Sequence, residues 1–139
     1  MSYHREIAIE FNHCDPAGIV FYPRYFEMVN SVVENFFAEV LDYPFARIMA
    51  ERSGVPTVHL TCDFHAPSRL GERVGFVLTV ERLGSRSVTV AVRAARDGER
   101  RLSAKAVLVW VGADGRAAHW PEAIGRALAC EMAKGTSDD

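Results

Sequence analysis

Apolar and polar residues alternate at the start of the chain. Tyr3, Arg5, Ile7, Ile9 and Phe11 fall on one side, and His4, Glu6, Ala8 and Glu10 on the other. A period of two predicts a strand with one buried face. His13-Cys14-Asp15-Pro16-Ala17-Gly18 follows, and its Asp-Pro and Gly content marks a turn. From Arg24 to Leu41 the period becomes 3.6. Phe26, Val29, Val33, Phe36, Phe37 and Val40 form a broad apolar face, while Glu27, Asn30, Ser31 and Glu34 form a narrow polar stripe. This pattern predicts a long helix, with Pro23 where the missing N–H costs nothing. Pro44 and Gly54 bracket a poorly patterned connection with a short helix at 44–52. Four segments rich in Val, Thr, Leu and Phe then predict strands at Thr57–Ala66, Arg73–Leu83, Ser87–Arg96 and Leu102–Val111. Turn signals separate them at Pro67 to Gly71, Gly84-Ser85 and Asp97-Gly98. Asp114-Gly115 closes the last strand. Pro121-Glu122 opens a C-terminal helix expected to reach Ala133, and 134–139 reads as a frayed tail.

Burial turns this order into an architecture. A helix of about 18 residues spans about 27 Å, close to the length of an eight-residue strand. Five mostly antiparallel strands have one apolar face to cover, and one long helix is at hand to cover it. The expectation is an α+β fold, a twisted sheet wrapped around that helix, and the order strand, long helix, four strands resembles the hotdog fold. A sheet this small leaves an edge strand in want of a partner, and edge-to-edge pairing in a two-fold dimer is a common remedy.

Composition narrows the class. The 139 residues fit one domain spanning 1–139. With 49% hydrophobic and 24% charged residues, the core can stand without disulfides or a structural metal. A net charge of −2 lacks the basic footprint of a nucleic-acid partner. No apolar run approaches the ~20 residues that cross a bilayer, so no membrane partner is expected. The first residues lack the plan of a signal peptide. Cys14, Cys62 and Cys130 are odd in number and widely spaced, which favours a reducing compartment and a cytoplasmic protein.

The segment from Phe11 to Tyr25, Phe-Asn-His-Cys-Asp-Pro-Ala-Gly-Ile-Val-Phe-Tyr-Pro-Arg-Tyr, closely resembles the active-site signature of 4-hydroxybenzoyl-CoA thioesterases. That signature reads C-D-P-A-G-I-V, an aromatic residue, Y-P, any residue, then Y. Gly54-Val55-Pro56-Thr57-Val58 and Phe64-His65-Ala66-Pro67-Ser68-Arg69-Leu70-Gly71-Glu72 resemble the second strand and following turn of the same superfamily. With agreeing strand spacing out to about Val111, the resemblance covers roughly the first four-fifths of the chain. A bare D-P-x-G is weak; fifteen contiguous positions before the right helix are specific. The resemblance implies a hotdog acyl-CoA thioesterase. In it, the aspartate at Asp15 attacks the thioester or activates water, and the backbone N–H at Tyr22 contacts the carbonyl oxygen.

The residues support that chemistry independently. A thioester carbonyl needs attack at carbon and stabilisation of charge on oxygen. An aspartate carboxylate is ionised at neutral pH and serves as nucleophile or as base for water. The start of the long helix brings unpaired N–H groups and the positive end of the helix dipole. Gly18, without a Cβ, lets a substrate approach the backbone. Taken alone, Asp-Pro-x-Gly before a helix is more often a turn or cap than a catalytic site. His13 has no second ligand pair at metal spacing, which favours a local hydrogen bond and no metal. Cys14 has no evident partner base and reads as a packed thiol, while His59, His65 and His119 read as sheet-surface or interface residues.

Substrate specificity is less sharply written. Phe21, Tyr22 and Tyr25 offer flat faces to an aromatic acyl group. Where the 4-hydroxybenzoyl branch carries an aspartate facing the substrate phenol, this chain has Asn30, which hydrogen-bonds without a charge. Arg82 and Arg86 flank Leu83-Gly84-Ser85, a thinner basic cluster than the one that holds the nucleotide phosphates in similar enzymes. Arg86 is the better match. The expectation is hydrolysis of an acyl-CoA, aromatic in its acyl group, with no metal or redox cofactor, by a homodimer or tetramer. A hotdog enoyl-CoA hydratase, which uses an Asp/His pair not found here, and a non-catalytic acyl-binding hotdog protein are the alternatives.

Overall fold

The structure, a computed structural model, describes residues 3–137. Its strands are β1 (Tyr3–Ala8), β2 (Thr57–Phe64), β3 (Arg73–Leu83), β4 (Ser87–Arg96) and β5 (Glu99–Val109). Its helices are α1 (Arg24–Glu39), α2 (Phe45–Ala50) and α3 (Glu122–Ser137), with a 3₁₀ turn at Phe11–His13. The strands form one sheet in the order β1-β3-β4-β5-β2, every pair antiparallel. Both β3 and β4 have the bounds that the alternation predicts.

The register lines up one apolar face. Phe76 opposes Ala94, and Ala94 opposes Leu102; Leu78 opposes Val92, and Val92 opposes Ala104. Against the sheet lies α1, burying Tyr25, Met28, Val29, Val32, Val33, Phe36 and Phe37, while Glu27, Asn30 and Glu34 stay exposed as the polar stripe requires. Phe36 and Phe37 are almost wholly buried. Removing one such ring costs about 3–5 kcal/mol in a well-packed core. The two central hairpins are tight: β4 and β5 turn at Asp97 and Gly98, both with positive φ, a primed turn that matches strand twist.

Two expectations are corrected. Phe11 is 83% exposed rather than on the buried side, because β1 ends at Ala8 and the 3₁₀ turn breaks the alternation after Ile9. Ile9 itself is buried and its N–H donates to Glu72 O at 2.8 Å. Helix α3 runs to Ser137, four residues past the expected end, burying Ile124 and Leu128 and packing along β3. Asp138 and Asp139, the rest of the expected frayed tail, lie outside the described residues. A second long helix thus packs on the sheet in addition to α1.

The ends of the molecule differ. The turn at Ser68–Glu72 enters one end of β3; the Gly84-Ser85 turn leaves the other, about 33 Å away along an eleven-residue strand. Trp110 marks that second end: its ring lies 6.3 Å from Tyr43, beyond the C-terminus of α1, and its backbone N–H donates to Arg86 O at 3.0 Å.

Candidate active site

Asp15 sits on a loop folded back on itself and pinned to its neighbour. Asp15 N–H donates to Ile19 O at 3.0 Å and Gly18 N–H to Asp15 O at 2.9 Å, closing a tight turn over Pro16-Ala17. Gly18 has φ 79°, a conformation that disfavours any side chain, and the space where a Cβ would point is empty to 4 Å. The loop is then tied to the Ser68–Leu70 turn. Val20 N–H donates to Ser68 O at 2.9 Å and Leu70 N–H to Gly18 O at 3.0 Å. One carboxylate oxygen of Asp15 accepts the Ala17 N–H at 2.9 Å. The other has no hydrogen bond among the described residues and is free to act.

The helix entrance is more economical in donors than a generic helix start. Arg24 N–H donates to Phe21 O, Tyr25 N–H to Tyr22 O and Phe26 N–H to Pro23 O, at 2.8, 3.1 and 3.1 Å. Phe21 N–H donates to His13 O at 2.9 Å, and Gly18 N–H is committed to Asp15 O. Pro23 has no N–H. Tyr22 N–H is therefore the unpaired donor at this entrance among the described residues, and it stands at the positive end of α1.

Around this point an aromatic wall assembles. Phe21 and Tyr22 meet edge to face at 5.8 Å. Phe64, the last residue of β2, touches Tyr22, Tyr25 and Phe26 at 6.0, 5.8 and 6.2 Å between ring centroids. Sequence reasoning missed Phe64, although it stands in the second matching segment and shares the inward parity of Leu60 and Cys62. Tyr22 is 60% and Phe64 47% exposed, so the wall faces outward beside the bare edge of β2. The Tyr25 hydroxyl is buried with no hydrogen-bond partner among the described residues, a group that ordinarily finds one.

Asp15 and Gly18 share one turn, and Phe21, Tyr22 and Tyr25 follow at the mouth of α1, tied back to it by the bond from Phe21 N–H to His13 O. Asn30 is exposed on the outward side of α1, a turn beyond Phe26. Arg82 and Arg86 are exposed at the far end of β3 from Asp15 and do not join the site within one chain. His13 makes the local bond its sequence context suggests, its Nδ1 accepting Glu10 N–H at 2.9 Å. The Cys14 thiol lies 3.5 Å from Glu10 O and packs against the core. His65 Nε2 meets Ser103 Oγ at 2.9 Å on the sheet surface. A groove of about 340 Å³ between β1 and α1, lined by Arg5, Glu10, His13, Glu27 and Ser31 among others, lies beside this loop but does not include Asp15. Among the described residues no helix is long and apolar enough to cross a membrane.

Known proteins resemble this arrangement. A family model described as the thioesterase-like superfamily matches residues 9–128. A 4-hydroxybenzoyl-CoA thioesterase from Pseudomonas sp. (strain CBS-3) is 36% identical over 55 residues, 40% of this chain and only 39% of that protein's length. A gentisyl-coenzyme A thioesterase of known structure is 25% identical and superposes with a TM-score of 0.84, covering 91% of this chain and 99% of that one. A hypothetical protein from Thermus thermophilus is 27% identical with a TM-score of 0.86, over 92% and 98%. A 1,4-dihydroxy-2-naphthoyl-CoA thioesterase from Synechocystis, 18% identical, shares the fold with a TM-score of 0.85 over 93% and 96%.

Proposed function

Because the chain belongs to the thioesterase-like superfamily, we propose that it hydrolyses an acyl-CoA thioester to the free acid and CoA. The observation that carries the reading is that one loop supplies both the Asp15 carboxylate, with one oxygen unbonded, and the unpaired Tyr22 N–H at the mouth of α1. In one route Asp15 attacks the thioester carbon, expels CoA thiolate and leaves an acyl-aspartyl anhydride that water then cleaves. In the other it takes a proton from water as that water attacks. Either way the oxygen gains charge where Tyr22 N–H and the helix dipole stabilise it. Neither route calls on a metal or redox group. Gly18 keeps the approach open.

The acyl group we propose is aromatic. Phe21, Tyr22, Tyr25 and Phe64 supply ring faces, each stacking contact contributing roughly 0.5–1.5 kcal/mol beyond area burial, and the names of the relatives point the same way. We expect benzoyl-CoA to be hydrolysed with higher kcat/KM than butyryl-CoA. Asn30 is neutral, so a 4-hydroxyl should add no more than about tenfold, the value of one net hydrogen bond of about 0.5–1.5 kcal/mol. Thiol release from benzoyl-, 4-hydroxybenzoyl- and butyryl-CoA, read with a colour reagent, tests both statements and the activity itself. A faster butyryl ester refutes the aromatic preference. A hundredfold hydroxyl effect refutes the role given to Asn30. No thiol release from any ester favours the acyl-binding alternative.

The working unit we propose is a homodimer joined along β2. That strand pairs with β5 on one side only, and its inward residues Leu60 and Phe64 are exposed. A two-fold axis there runs the partner sheet in reverse, bringing the partner's far end to the side of this chain's Asp15. Arg82 and Arg86 of one copy would then face the nucleotide bound at the other. Light scattering should show a dimer, or a tetramer built from dimers, at micromolar concentration; a monomer alone would refute this. The three unpaired thiols suit a reducing cytoplasm.

A further inference from the structure

The most deeply buried charge lies behind the site. Arg101 is 5% exposed and Ser68 is fully buried. Ala94 opposes Leu102 and Ala95 opposes Arg100, so Arg101 is the extra residue of a β-bulge in β5. A bulge re-aims a side chain, and this one turns a guanidinium off the regular alternation onto the Ser68–Glu72 turn. Arg101 Nη1 donates to Ser68 Oγ at 3.1 Å and to Glu72 Oε1 at 2.8 Å, while Nη2 donates to Glu72 Oε2 at 3.3 Å. Glu99 lies 2.7 Å from Nε. Glu72 Oε1 also accepts Arg69 N–H at 2.7 Å. The turn so gripped is the one that takes the Val20 N–H and donates Leu70 N–H to Gly18, the two bonds that fix the Asp15 loop.

We infer that Arg101 is a positioning residue, a fork at a β-bulge that holds Ser68 and Glu72 and through their backbone sets the Asp15 loop against the mouth of α1. The inference rests on the reading of Asp15 as the catalytic carboxylate. A two-pronged guanidinium–carboxylate pair fixes direction as well as distance, and both partners are tied to the same five-residue turn. The β3–β4 and β4–β5 ladders are held by their own backbone bonds, so losing the pair should lower stability without removing the sheet.

The test uses Glu72→Gln and Ser68→Ala in the full chain. Expected is a fall in kcat of about 10- to 100-fold, the scale of a misplaced catalytic group, with KM little changed. The amides of Val20 and Leu70 should exchange with solvent faster, and by a larger factor than those of Val90 and Val92 in β4, which speed up only as far as the loss of global stability dictates. In an Asp15→Asn background, Glu72→Gln should lower turnover little further yet loosen the same two amides. Wild-type kcat in both variants overturns the inference. So does a loss of activity that merely tracks the folded fraction, with Val20 and Leu70 speeded no more than Val90 and Val92. Failure of the underlying reading shows separately, as wild-type turnover in Asp15→Asn alone.

Discussion

Asp15→Asn is expected to keep the fold and to lower turnover by about 10²–10⁴-fold, the range for losing a group of this kind. The fold should survive because the amide oxygen of asparagine still accepts the Ala17 N–H, so the turn over Pro16 and Ala17 keeps its closure. What disappears is the negative oxygen that attacks carbon or takes a proton from water. Steady-state kinetics beside a thermal melt separates the two. A folded variant with wild-type turnover removes Asp15 from the mechanism. Single turnover in ¹⁸O-water refines the result: the anhydride route places label in the Asp15 carboxyl when water attacks at that carbon, and the general-base route leaves it unlabelled.

Acid should release the clamp behind the site. Glu72 is held at about 2, against an ordinary 4.5, chiefly by hydrogen bonds from the Arg101 guanidinium, then by the Arg69 N–H, with burial opposing and the charges of Arg101 and Arg96 helping. A carboxylate lowered on folding stabilises the protein fully above its unfolded value. It loses that contribution as pH falls from about 4.5 toward about 2. The shift corresponds to roughly 2–3 kcal/mol, with the side chain mostly but not wholly out of water. Glu72→Gln should therefore be less stable than wild type at neutral pH by about that amount, and the gap should close near pH 2. Urea unfolding across that window reads the difference directly. Parallel curves for the two proteins would mean that Glu72 does not carry the acid sensitivity.

Much of this was legible along the chain. Alternation placed β3 and β4 to the residue because both are flanked by tight turns and bury one face throughout. The helix was legible for the same reason, a period of 3.6 with a narrow polar stripe. The loop proposed as catalytic could be singled out because it is contiguous: Asp15, Gly18 and Tyr22 lie within eight residues, so local chemistry carries the proposal. Phe64 and Arg101 were not, since each acts through contacts across the sheet. A bulge adds one residue and leaves no periodic trace, so nothing along the chain singled out Arg101. The donors at the helix mouth were also overcounted. Tight i→i−3 bonds consume Arg24, Tyr25 and Phe26, and only geometry shows that Tyr22 N–H is left without a partner there among the described residues. Spacing likewise could not say that Arg82 and Arg86 leave β3 at the end opposite Asp15.

The bare edge of β2 has a cost as well as a use. Thr57–Phe64 carries neither proline nor lysine, and Asp63 is its lone charge. Strands left open in this way are templates for indiscriminate pairing. The backbone groups proposed to join two copies are thus the ones through which a newly made or diluted chain would aggregate. For such a protein, apparent stability rises with concentration by mass action, and productive pairing must outrun misassociation. The sheet edge proposed to complete the enzyme would then also set the concentration range over which it stays an enzyme.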